Sequence, residues 1–122
     1  MLYSVLIFGA EGVAESLSPE AHQALLQKHR DLKARLGAEG TYRGSVQLMP
    51  PSTATHLQDR GQGVELLDGP FAESKEQFLG YYLIECEDVG YAQQAARELP
   101  QGVATMEVRA VAWARGAVVT GG

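Results

Sequence analysis

Cysteine is almost missing from this chain: Cys86 is the sole one among 122 residues. An intramolecular disulfide is therefore impossible, and no zinc cluster can be built from thiolates. A reducing compartment such as the cytoplasm is the expected home. A basic surface is lacking too. Acidic residues outnumber Lys and Arg 15 to 10, for a formal net charge of −5, and Asp31 interrupts the stretch holding Lys28, Arg30, Lys33 and Arg35. Phosphate-backbone binding needs a basic face that releases counterions, so no nucleic-acid partner is expected. No apolar run approaches the roughly 20 residues of a membrane helix, and no membrane partner is expected either. Met1 to Phe8 is apolar but short, with no basic residue before it and Glu11 as the first charge. It reads as a strand, not a signal peptide.

Catalytic signatures are equally sparse. The glycines at 37, 40 and 44 match neither a phosphate loop nor a dinucleotide fingerprint. No G-x-S-x-G elbow occurs. His22 and His29 lie seven apart, not at the H-x-x-x-H spacing of helical metal sites. On one helix they stand about 10.5 Å apart along the axis, too far to share one ion. Neither a metal nor a cofactor is expected.

What is present suits one globular α+β domain over 1–116, with 117–122 as a Gly-ended tail. Leu2 to Phe8 is β-branched and aromatic, the pattern of a central strand. Ser18-Pro19-Glu20 opens a helix: Ser18 caps free amides, Pro19 suits the first helical position, and Glu20 favours the positive dipole end. The stripe His22, Leu25, Leu26, His29, Leu32, Leu36 follows one helical face, with Arg30 and Lys33 off it. Gly37 and Gly40 terminate the helix. Tyr42 to Leu48 is a strand that Pro50-Pro51 ends. Thr53 to Gln58 and Val64 to Leu67 pair as a hairpin around Asp59-Arg60-Gly61-Gln62-Gly63. Phe78 to Cys86 is a further strand, Val89 to Leu99 a helix capped by Asp88, and Thr105 to Trp113 the last strand.

Without the hairpin the order is βαββαβ, the ferredoxin-like arrangement. Right-handed crossovers place both helices on one face of a four-stranded antiparallel sheet. The other face is left bare, and a second copy is the simplest cover, giving a homodimer.

Asp68-Gly69-Pro70-Phe71-Ala72-Glu73-Ser74-Lys75-Glu76-Gln77 joins the hairpin to the next strand. Gly69-Pro70 is a turn, Phe71 an anchor, and the loop presents Lys75 and Glu76. With Leu17-Ser18-Pro19-Glu20, Pro50-Pro51-Ser52-Thr53-Ala54-Thr55, Gly80-Tyr81-Tyr82 and Glu107-Val108-Arg109, this segment resembles the YCII-related family, in the branch named for its Asp-Gly-Pro-Phe motif. The resemblance implies a dimeric ferredoxin-like α/β barrel. Its wider relatives include lyase-like enzymes thought to use a His–Asp pair, and the branch often appears beside extracytoplasmic-function sigma factors. His22 and His29 stand where this branch more often carries Met, Tyr or other apolar residues, so that histidine is not carried over onto either.

Two functions follow as alternatives. The first is a cofactor-free enzyme or binder for a small anionic or aromatic ligand. Its lyase- or isomerase-type proton transfer would use His29 or Asp68 as base. Lys75 or Arg109 would hold negative charge, with Phe71, Glu76 and Tyr81 as further ligand contacts. The second is a non-catalytic accessory protein linked to sigma-factor regulation. In that case Asp68 is a turn former, Lys75 and Glu73 make a surface ion pair, and the tyrosines and histidines are packing residues.

Overall fold

Alternating side chains decide which side of the sheet is covered. In the computed structural model, residues 1–10, 12–13, 15–70, 76–100, 102 and 104–116 are described. The strands are β1 (Leu2–Gly9), β2 (Tyr42–Gln47), β3 (Thr55–Asp59), β4 (Val64–Asp68), β5 (Gln77–Glu85) and β6 (Thr105–Ala110); the helices are α1 (Pro19–Ala38) and α2 (Val89–Arg97). Strands β2-β5-β1-β6 form one antiparallel sheet, while β3 and β4 pair with each other in a second, two-stranded sheet. The larger sheet and two helices make an α+β fold, and its strand order is consistent with a ferredoxin-like chain path.

Both helices begin at side-chain caps. Ser18 Oγ accepts from the Ala21 amide at 3.1 Å, and Asp88 Oδ1 accepts from the Tyr91 amide at 3.0 Å. Each satisfies a donor that the first helical turn leaves without a partner. The helix runs through Gly37 and ends beyond it, where Gly40 takes a positive φ of 74°. Pro51–Thr53 forms a single 3-10 turn, so β3 starts at Thr55, later than the sequence pattern indicates. β6 ends at Ala110; beyond it Trp113 is 77% exposed, which is why the last strand is shorter than its apolar pattern suggests.

The core sits between the helices and one sheet face. Val5, Tyr82 and Ile84 come from the sheet, Leu32 and Leu36 from α1, Ala92, Ala95 and Ala96 from α2, and Leu99 follows α2. Tyr3, Ile7, Met106 and Val108 pack around them. Burying a side chain such as Leu36, Ile84 or Val5 contributes about 1.5–3 kcal/mol. The alanines of α2 let that helix approach the sheet closely.

The core is lopsided along α1. Leu32 and Leu36, in its second half, are buried, whereas Leu25 and Leu26 are only half-buried and His22 is exposed. The second half is further held by Arg35, which pairs with Glu39 and Glu98 and stacks over the Tyr91 ring. The Tyr91 hydroxyl in turn donates to Glu39. These are partly exposed contacts, each worth about 0–1 kcal/mol.

Leu6, Phe8, Tyr81 and Leu83 alternate with the core residues and so lie on the other sheet face. Phe78 joins them, its ring 5.5 Å from that of Phe8 and 6.3 Å from that of Tyr81. Neither α-helix covers this face.

Gly80 of β5 pairs with Gln47 of β2. A Cβ there would stand 2.2 Å from the Val46 carbonyl oxygen, whereas one at Gly37 would meet nothing within 4 Å. Gly80→Ala is therefore expected to destabilise by about 1–3 kcal/mol, since backbone must shift to admit it. Gly37→Ala is expected to stabilise by about 0.5–1 kcal/mol through helix propensity. Urea unfolding of both variants checks the contrast; equal effects would contradict it.

Candidate functional site

Because α1 is pinned at its C-terminal half, its N-terminal half stands away from the sheet. The space beneath is a cavity of about 450 Å³. Its floor is Ile7, Gly80 and Tyr82 with Ser45 and Gln47 of β2; Leu99, Pro100, Ala104 and Met106 close one side. Its roof is α1, which supplies His22, Leu25, Leu26, His29, Arg30 and Lys33. The volume lies within the range of small-molecule clefts, about 300–1,000 Å³.

One polar contact crosses from roof to floor. His29 Nδ1 lies 2.7 Å from the Tyr82 hydroxyl, with the two rings stacked at 12° and their centroids 5.9 Å apart. The contact sits where the packed half of α1 gives way to the lifted half. Burial, and secondarily the Lys33 ammonium, hold the His29 pKa below its ordinary 6.5. Burial, and then the nearby Tyr42, push the Tyr82 hydroxyl up. At neutral pH both groups are therefore uncharged. Such a pair has two useful states. When Tyr82 donates to Nδ1, the imidazole carries its proton on Nε2 and is a hydrogen-bond donor. When Nδ1 donates to the Tyr82 oxygen, Nε2 is a free base. The floor beneath is ordered by its own contacts: the Tyr42 hydroxyl meets Ser45 Oγ at 2.5 Å, and the Tyr42 ring tilts against Tyr82 at 6.5 Å.

The residues singled out in the sequence fall in three places. His29 lines the cavity. Tyr81 lies on the opposite sheet face from Tyr82, stacked on Phe78, and Arg109 is on that same face, paired with Glu107 of its own strand. Asp68 ends β4 and is exposed, opposite Thr55; the next amide, that of Gly69, donates to the Ala54 carbonyl at 2.7 Å and closes the base of the hairpin. Phe71 and Lys75 lie outside the described residues. Glu76 precedes β5, the strand that carries Leu79, Gly80 and Tyr82 of the cavity lining.

Three cavity residues were not legible as such. Tyr82 reads as packing in the sequence, and Arg30 and Lys33 read as a wet helix face. A signal exists in hindsight for Lys33: it is four residues after His29, hence its neighbour on the helix surface. Cys86 is buried and burial pushes its thiol pKa up, which leaves it a poor nucleophile. Among the described residues no group of three or more His, Cys, Asp or Glu could hold a metal ion. No described helix is long and apolar enough to cross a membrane.

The pattern of the YCII-related domain matches residues 1–114. An uncharacterised protein of Rhizobium meliloti (strain 1021) is 33% identical to the chain over 99 residues, which cover 81% of this chain and 80% of that protein.

His29 is expected to titrate below 6.5 in a histidine NMR titration. Because the folded value is the lower one, the unfolded chain binds this proton more readily. The contribution of His29 to stability is then complete above about pH 6.5 and is lost as pH falls through the folded value. Tyr82→Phe is expected to cost about 0.5–1.5 kcal/mol, the usual worth of one hydrogen bond. A His29 titration at or above the ordinary value would contradict the buried, paired placement.

Proposed function

The chain belongs to the YCII-related domain family, and from that premise we propose that it binds a small organic molecule in the cavity beneath α1 and acts on it by acid–base chemistry. The observation that carries this is the His29–Tyr82 contact on the cavity wall. An uncharged imidazole at neutral pH is ready to accept a proton, and its tyrosine partner lets it present either nitrogen state. Lyase- or isomerase-type proton transfer is the chemistry such a site supports without a cofactor. His29 takes a proton from carbon and returns it elsewhere on the substrate, or a leaving group departs. Asp68 is proposed as a further acid–base group, and Phe71, Lys75 and Glu76 as further ligand contacts.

The same reading makes the protein a homodimer in the reducing cytoplasm, residues 1–116 forming one unit. Leu6, Phe8, Phe78, Tyr81 and Leu83 form an apolar sheet face that neither α-helix covers. Phe78 and Val46 are about 40% exposed there. Pairing two such faces would bury this surface and form the α/β barrel. It would also leave the cavities on the outer, helical sides, open to ligand.

Two measurements test these statements. Sedimentation velocity is expected to give twice the 13.1 kDa chain mass, with Leu83→Lys shifting it toward one chain; a wild-type monomer would contradict the dimer. A thermal-shift screen of small organic acids, alcohols and amines is expected to yield binders. Leu26→Trp, filling the cavity from the roof, and Ala104→Leu, filling it from the side, should abolish their effect while the far-UV spectrum stays native. Binding that survives both substitutions would place the site elsewhere. An intact fold that binds none of the compounds would favour the accessory-protein alternative.

A further inference from the structure

The charge lining the cavity runs against that of the whole chain. Acids outnumber Lys and Arg 15 to 10 overall. Yet the described lining residues include Arg30, Lys33, His22 and His29 and no carboxylate. The two cations and both histidines come from α1, hence from one wall. The opposite walls are largely apolar, with Ile7, Leu79, Leu99 and Met106. The cavity is thus two-sided, one wall cationic and the others uncharged, with Ser45, Gln47 and Tyr82 as their polar members.

We propose that the cavity selects a small organic monoanion with an apolar body, a carboxylate, phenolate or enolate whose charge is met by Lys33 and Arg30. This rests on the small-molecule reading of the same cavity and adds the ligand's chemical class. Lys33 supplies a compact, mobile point charge, and Arg30 a planar fork suited to a carboxylate. Lys33 lines the cavity one helical turn after His29 and acts electrostatically on that ring. The neutral imidazole adds a donor through Nε2 when Tyr82 donates to Nδ1. A cationic ligand would face like charges on the α1 wall.

The same two cations suit the chemistry at His29. Removing a proton from carbon leaves an enolate, and cations beside the site oppose the charge as it forms. Substrate anion and transient anion are then held by one wall.

Three probes sharing one ring system separate the possibilities: 2-naphthoate, 2-naphthalenemethanol and 2-naphthylmethylammonium. Calorimetric titration of the wild-type protein at low salt is expected to rank the carboxylate at least about tenfold tighter than the alcohol, with the ammonium weakest. The Lys33→Met/Arg30→Met double variant should bind the alcohol within about twofold of wild type and lose the preference for the carboxylate. Equal or tighter binding of the alcohol or the ammonium overturns the proposed selectivity while the cavity remains a small-molecule site. A carboxylate preference that persists in the double variant overturns the roles of Lys33 and Arg30. Failure of all three probes, and of octanoate and phenylacetate, overturns the small-molecule reading itself.

Discussion

The cavity beneath α1 depends on how that helix is fastened. Leu32 and Leu36 bury themselves against Val5, Tyr82 and Ile84, and Arg35 ties the same half of the helix to Glu98 beyond α2. The first half has no equivalent anchor. Ser18 caps it, but Leu25 and Leu26 reach only half-burial and His22 stays exposed. Gly80 has no side chain to fill the gap, and a Cβ there would strike the β2 backbone. The cavity is the volume these two constraints leave, and His29–Tyr82 is the hydrogen bond at its inner edge.

That arrangement explains why one histidine of the pair differs from the other. His22 and His29 share a helix face, but only His29 sits where helix and sheet are near enough for Tyr82 to reach it. Partial burial keeps the imidazole neutral, and the tyrosine stays protonated for the same reason. Two uncharged, mutually bonded titratable groups in a half-open cavity form a poised pair rather than a salt bridge. The cost of removing them from water is offset by their contact with each other. The opposite sheet face carries the Arg109–Glu107 ion pair of β6 and an aromatic cluster in which Phe78 tilts against Phe8 and stacks on Tyr81, which suits packing against a surface.

Local patterns carried most of the fold. The caps at Ser18 and Asp88 and the three-four spacing from His22 to Leu36 all report on residues close in sequence, and these elements are present. The strand–helix order made the sheet's connectivity legible, because few chain paths satisfy it. Element ends were less legible. Gly37 reads as a stop, yet the helix passes through it, since nothing crowds that position and Gly40 supplies the left-handed turn. The apolar run after Ala110 reads as strand but leaves Trp113 in solvent. The site was the least legible part. His29 and Tyr82 are 53 residues apart, so no spacing rule links them, and the even–odd choice between Tyr81 and Tyr82 depends on which sheet face the helices take. The cationic wall was hidden because Arg30 and Lys33 look like ordinary surface residues until the helix is seen to stand off the sheet.

The most direct test of this account is a crystal structure of the protein as purified, with no ligand added. The account predicts electron density for a small molecule, or ordered solvent in its place, between the N-terminal half of α1 and Gly80, beside an intact His29–Tyr82 contact. An α1 lying flat on the sheet, with the cavity filled by the chain's own side chains and His29 turned to solvent, would contradict it.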